Sequence, residues 1–317
     1  MNIVDKLIEN TIRTKNPTVV GLDPDLSKIP ACYKKESAEN PFQAVANVIY
    51  EFNRDIIDTV ADLVPAVKPQ MAFYEKYGSC GVAAFEKTVS YAKSKGLVVI
   101  EDAKRNDIGN TAKAYADGHL GKVELLDESY APSIDADFLT VTPFLGSESL
   151  KPFIDICVQN QKGIFVLVKT SNISSGEIQD VVCENGLTVS QNIAKYLAEQ
   201  AEKHMGERGY SAIGAVVGAT YPAEAKKLRQ FMPKNYFLVP GYGAQGGCAE
   251  DIVPCFCQDG LGLIVNSSRG ILYTHMTAFE RENLTKAEYL HKVKNAVLVM
   301  QEQIYNTLKT HYPNMIY

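Results

Sequence analysis

The sequence predicts an α/β fold, a (β/α)8 TIM barrel with rim insertions, on three observations. Short runs rich in Val, Ile and Leu alternate with longer amphipathic segments, the pattern of parallel strands covered by helices. Eight such units follow one another within 317 residues, close to the length of a barrel plus insertions, which favours a closed barrel over an open doubly wound sheet. Neither a fixed-period repeat nor a low-complexity linker divides the chain, so residues 1–317 are read as a single domain.

In chain order the strands are expected at "TVVGLD" (18–23), "PAVKPQMAF" (65–73), "LVVIEDAK" (97–104) and "DFLTVTPF" (137–144), then "GIFVLVKTS" (163–171), "AIGAVVGAT" (212–220), "YFLVPGYG" (236–243) and "GLIVNSSRG" (262–270). Helical periodicity runs through "FQAVANVIYEFNRDIIDTVADL", "GVAAFEKTVSYAKSKG", "TVSQNIAKYLAEQAEKHM" and the closing "AEYLHKVKNAVLVMQEQIYNTL". Two intervals, 117–136 and 172–188, are longer than barrel loops usually are and are read as insertions on the rim, candidates for lids.

Composition narrows the functional class. With 46% hydrophobic and 22% charged positions the chain can bury a large core, and its net charge of −5 is mild. Lysines and arginines are interspersed with acids rather than gathered into a stripe, which argues against nucleic acid and for a small-molecule partner. The charged amino terminus lacks the apolar core of a secretory signal and no stretch has the length of a membrane-spanning helix, so a cytoplasmic protein is expected. Seven dispersed cysteines form no CxxC pair and are read as structural. The five histidines lie outside the strand ends with no metal spacing, and most are expected at the surface. Neither a redox-cofactor fingerprint nor a Walker A loop occurs, so no cofactor and no metal is expected, and side chains must do the chemistry.

Candidate residues gather at the carboxyl ends of the strands, the active-site face of a barrel. In "IEDAKRNDIGNTAKAYA" Asp102 and Lys104, two apart on one strand, point the same way, with Asp107 just beyond. Asp23, Lys68, Thr142, Pro143, Ser171, Asn172 and Gln245 stand at the same end of other strands. A single Asp-Lys pair is equally well a structural ion pair. Four charged groups on three strand ends are better explained by function, since desolvating them together is costly. After the last two strands, "PGYGAQGG" and "NSSRG" offer backbone N–H groups where barrels often hold phosphate, and Arg269 adds a guanidinium suited to phosphate oxygens.

These motifs together resemble the orotidine 5′-phosphate decarboxylase family, nearly end to end. Asp102, Lys104 and Asp107 match its D-x-K-x-x-D signature. "VGLDPD", "VKPQMAFYE", "VTPFLG", "KTSN", "PGYGAQGG" and "NSSRG" look like its longer bacterial branch, type 2, except that Asn106 stands where glycine is expected. The resemblance implies a homodimer that converts orotidine 5′-monophosphate (OMP) to UMP and CO2 in pyrimidine synthesis. Lys104 would be the proton donor to C6, with Asp102 beside the departing carboxylate and Lys68 bridging the acids. Asp23 and Lys68 would hold ribose hydroxyls, Ser171 the pyrimidine edge, Gln245 both base and phosphate, and Arg269 the phosphate. Asp107, Ile108 and Thr111 would enter the partner subunit's site. Thr142, Pro143, Asn172, Pro240 and Ser268 complete the implied substrate contacts. Flanking acids favour a charged lysine at position 104, which can both face a carbanion and supply its proton.

Three rivals remain open on sequence. A 3-keto-L-gulonate 6-phosphate decarboxylase would share D-x-K-x-x-D but need a divalent metal. A Schiff-base aldolase would use Lys68 or Lys104, and a non-catalytic nucleotide-binding protein could keep the barrel without the reaction.

Overall fold

The computed structural model describes residues 1–35, 37–243, 247–273 and 276–317. Among them, eight parallel strands close into a barrel: β1 (Thr18–Leu22), β2 (Ala66–Pro69), β3 (Val98–Arg105), β6 (Phe138–Val141), β7 (Gly163–Lys169), β8 (Ser211–Val217), β9 (Asn235–Val239) and β10 (Leu263–Ser267). A small antiparallel hairpin, β4 (Val123–Glu124) with β5 (Tyr130–Ala131), is separate from it. Strand β10 pairs with β1 to close the ring. The longer helices are α1 (Ile3–Thr14), α2 (Pro41–Val60), α3 (Gly78–Ser94), α4 (Gly109–His119), α5 (Ser147–Asn160), α6 (Val189–Lys203), α7 (Pro222–Phe231) and α8 (Lys286–His311).

The strands are shorter than their apolar runs because specific residues end them. Strand β2 stops at Pro69, which has no N–H to continue a ladder, and the chain turns into the helical segment Ala72–Glu75. Thr142 and Pro143 likewise lie just beyond β6. Helix starts follow capping chemistry. The Asn40 side chain accepts from the Phe42 N–H at 3.0 Å ahead of Pro41, and Thr188 with Gln191 and Thr285 with Glu288 form capping boxes on α6 and α8.

Strand alternation divides the core in two. Outward residues such as Val67, Val99, Leu139, Val166 and Phe237 pack under the helices. Inward residues Val19, Ala66, Ile100, Phe138, Phe165, Tyr236 and Ile264 fill the amino end of the barrel, where Val4, Leu7 and Ile8 of α1 pack against them. The interval 117–136 leads from the end of α4 back to β6, so it belongs to the end opposite the strand carboxyl termini and carries the β4-β5 hairpin. The interval 172–188 follows β7 at its carboxyl end and is tied down there. Asp180 accepts from Lys169 Nζ at 2.7 Å, and Gln179 Oε1 accepts from the Thr170 N–H at 2.9 Å.

Candidate active site

Two residues above the apolar layer, the inward positions change character: Val19 gives way to Gly21, Ala66 to Lys68, Ile100 to Asp102, Phe138 to Thr140 and Ile264 to Asn266. Asp102 is the hub. Its Oδ1 accepts from Lys104 Nζ at 2.6 Å and from Thr140 Oγ1 at 2.9 Å; its Oδ2 accepts from Lys68 Nζ at 2.7 Å and from Gln70 Nε2 at 2.9 Å. Burial alone would raise the Asp102 carboxyl, but Lys68 and then Lys104 outweigh it and hold the group well below the ordinary carboxylate range. Burial opposes the charge on Lys68 as well, and Asp102, with Asp23 behind it, more than compensates and moves that ammonium upward.

Strand β3 does not reach Lys104 as a regular strand. The register with β6 slips between Glu101 and Arg105, and Lys104 has φ of 51°, a left-handed conformation costing a non-glycine residue about 1–3 kcal/mol. Thr140 braces it from β6, accepting from the Lys104 N–H at 3.0 Å through the same Oγ1 that donates to Asp102. The result is an ammonium half open to the cavity, with 45% side-chain exposure, on a carboxylate with 11%.

Two adjoining cavities share Lys68, Asp102, Pro240 and Asn266 in their walls. One, of about 240 Å³, adds Lys104, Thr140, Ser171 and Asn172 above an apolar wall of Leu167, Val216 and Leu238. The other, of about 330 Å³, runs from Asp23 and Gln70 to Ser268, Arg269 and Tyr273. Asp25 and Lys28, paired at 2.8 Å, join its wall from the loop after β1. Burial opposes the Asp25 charge, but hydrogen bonds from Lys28 and Ser27 prevail and bring its carboxyl down to about 2. Burial pushes the Tyr273 phenol up, leaving it neutral, so that its O–H donates a hydrogen bond to the Asp23 carbonyl at 2.9 Å and its oxygen accepts one from the Asp25 N–H. The approach of β1 to β10 here requires glycine, since a Cβ on Gly21 would fall 1.8 Å from Ser268 Oγ.

The structure thus gathers Asp23, Lys68, Asp102, Lys104, Ser171, Asn172, Pro240, Ser268 and Arg269 around the paired cavities. Thr142 and Pro143 do not line them, nor do Asp107, Ile108 and Thr111. The Asp107 carboxylate accepts from the Ile108 N–H at 2.8 Å, and Ile108 is 48% exposed. Gln245 lies outside the described residues. Sequence reasoning missed Gln70, Thr140, Asn266 and Tyr273. Strand alternation places Thr140 and Asn266 inside once the register is known, but no motif marks Tyr273. Most of the histidines are expected at the surface without any one being singled out; His119 is 7% exposed, because the end of α4 packs onto the outer face of β3. Among the described residues no cluster of His, Cys, Asp and Glu is placed to hold a metal ion, and no helix is long and apolar enough to cross a membrane.

Comparison with known proteins agrees with this geometry. Residues 19–282 match the model of the Orotidine 5′-phosphate decarboxylase / HUMPS family. The chain is 41% identical over 304 residues to an orotidine 5′-phosphate decarboxylase of Rhodopirellula baltica, a match covering 96% of this chain and 99% of that relative. Among solved structures, a Toxoplasma gondii protein assigned as an orotidine-monophosphate decarboxylase superposes with a TM-score of 0.76 at 26% identity over 98% of each chain. The OMP decarboxylase of Leishmania donovani does so with a TM-score of 0.68 at 27% identity, covering 95% of this chain and 99% of that one. A family match over most of the length, and a relative aligned almost end to end, place this chain in the orotidine 5′-phosphate decarboxylase / HUMPS family.

Proposed function

We propose that this protein decarboxylates OMP to UMP and CO2 using its own side chains, with the whole chain acting as one domain. The observation that carries the reading is the Asp102 carboxylate held between Lys68 and Lys104 in the wall shared by two cavities, one of which Arg269 also lines. Arg269 and Ser268 take the phosphate, with Gln245 spanning phosphate and base. Asp23 and Lys68 take the ribose hydroxyls. The pyrimidine lies against Leu167, Val216 and Leu238, its edge held by Ser171, with Asn172 and Pro240 completing its surroundings.

The C6 substituent then points at Asp102 and Lys104. As the bond from C6 to the carboxyl carbon breaks, its electron pair stays on C6, CO2 departs, and a proton from Lys104 Nζ fills the vacated position. An ammonium at about 4 Å from the developing carbanion is worth roughly 4 kcal/mol at an effective dielectric of 20, more as water is excluded. Binding energy from the phosphate, remote from the reacting carbon, supplies part of the orientation.

Asp102 already engages both oxygens with four donors, which argues for an electrostatic rather than a metal-ligand role. The active unit is a homodimer in which Asp107, Ile108 and Thr111 serve the partner subunit's site. Exposed apolar side chains support this: Ile108 just ahead of α4, with Phe144 and Leu145 (82% and 46% exposed) ahead of the neighbouring α5. The proposed setting is the cytoplasm, since a phosphate ester does not cross bilayers unaided and must be converted where it is made.

The test is the loss of OMP absorbance with purified protein, with and without EDTA. Decay to UMP that EDTA leaves unchanged supports the reading. Decay abolished by EDTA and restored by a divalent cation, or no decay by folded protein that binds UMP, overturns it.

A further inference from the structure

The outer face of β3 carries a second polar cluster that the proposed chemistry leaves unused. Glu101 is completely buried, and its Oε1 lies 2.8 Å from Nδ1 of the buried His119. His119 Nε2 accepts from Arg105 Nε at 3.3 Å, so the ring proton sits on Nδ1 and points at Glu101. The same guanidinium donates Nη1 to the Ala103 carbonyl at 3.1 Å, donates Nη2 to Glu75, and lies over the Tyr115 ring at 5.8 Å. The Arg105 carbonyl in turn accepts from the Thr142 N–H at 3.1 Å.

The ends of this relay, Glu101 and Arg105, bracket the three residues over which β3 slips register and Lys104 takes its left-handed conformation. Neighbouring outward positions, Val99, Leu139 and Val141, are apolar, and an apolar residue at 101 would avoid desolvating a carboxylate. Instead the strand carries an acid whose second oxygen, Oε2, has no hydrogen-bond partner among the described residues, and an arginine that grips a carbonyl inside the slipped segment.

We infer that Glu101, His119 and Arg105 are positioning residues that hold the bulged end of β3 so that Lys104 stays aimed along Asp102. They touch no substrate and act on the reaction through Lys104, so the inference rests on the reading of Lys104 as proton donor. A displacement of about an ångström at the reacting group can cost a hundredfold in rate. UMP carries no leaving carboxylate and keeps its phosphate, ribose and base contacts, so its affinity has little dependence on where Lys104 points.

The experiment uses full-length protein and two variants. Glu101→Leu/His119→Phe removes the buried acid and its ring together, so no charge is stranded. Arg105→Lys keeps a cation near Glu75 but cannot span the Ala103 carbonyl and His119 at once. Single-turnover decarboxylation, UMP affinity and thermal unfolding are read on each. The expected result is a rate lower by roughly 10- to 100-fold with UMP affinity within about twofold of wild type. A rate within about twofold of wild type in either folded variant overturns the inference. A parallel loss of rate, UMP affinity and melting temperature also overturns it, because a merely structural role produces that pattern. Should the double variant fail to fold, the half-buried Arg105→Lys decides alone. An unmutated protein without turnover is a distinct outcome, which removes the functional reading and this inference with it.

Discussion

The two ends of the barrel interior are built by the same strands and do opposite work. At the amino end Val19, Ala66, Ile100, Phe138, Phe165 and Ile264 meet helix α1 in a dry layer. One inward step higher, the same strands present Gly21, Lys68, Asp102, Thr140, Leu167 and Asn266. Only the side of the ring formed by β7, β8 and β9 stays apolar there, through Leu167, Val216 and Leu238. Stability is therefore concentrated at one level and chemistry at the next, with the apolar arc serving both. Removing a group from the upper level should change rate more than stability, and removing one from the lower level should do the reverse.

The largest expected effect is at Lys104. Lys104→Ala loses the electrostatic partner of the carbanion and the proton source together, so decarboxylation should fall by roughly 10⁵-fold. Because the side chain is nearly half exposed, stability should change by under about 1 kcal/mol, and titration should still detect UMP binding. Substantial turnover in Lys104→Ala would break the comparison at its strongest point.

Subunit mixing sharpens it. Inactive Lys104→Ala and Asp107→Ala proteins, mixed in equal amounts and allowed to exchange, should recover about a quarter of the wild-type sites, because half the dimers are hybrids and each hybrid has one intact site. No recovery despite demonstrated exchange would return Asp107 to its own barrel. The lower level supplies the converse measurement. Phe165 is fully buried and stacks on Phe138 with ring centroids 4.8 Å apart, so Phe165→Ala should cost about 3–5 kcal/mol in denaturant unfolding while kcat per folded molecule stays near wild type.

How much of this was legible in the sequence follows the same division. Apolar periodicity exposes the strands, and charged residues at their ends expose Asp23, Lys68, Asp102 and Lys104, because both patterns are local. The hairpin at Val123–Ala131 has strands of two residues each, too short to leave a period. The left-handed Lys104 is invisible because it arises from pairing with β6, some 35 residues on. Gln70 depends on the approach of β3 to β2, and the burial of His119 depends on where α4 docks. These tertiary facts override what a side chain's own chemistry suggests, as the buried imidazole of His119 shows.

The smallest expected effect tests whether height along the barrel or direction relative to its interior decides a residue's role. Thr188 closes the interval after β7, at the carboxyl end of the barrel, yet its hydroxyl accepts from the Gln191 N–H at 3.2 Å and the Gln191 side chain returns a bond to the Thr188 N–H. That capping box satisfies two N–H groups at the start of α6, outside the ring of strands. Thr188→Ala should therefore cost about 1 kcal/mol of stability in chemical unfolding and leave kcat/KM for OMP unchanged. A loss of kcat/KM beyond the loss of folded protein would mean that the interval pinned by Lys169 and Asp180 takes part in turnover. The catalytic level would then extend outward past the strand ends, and inward direction alone would no longer separate the two kinds of residue.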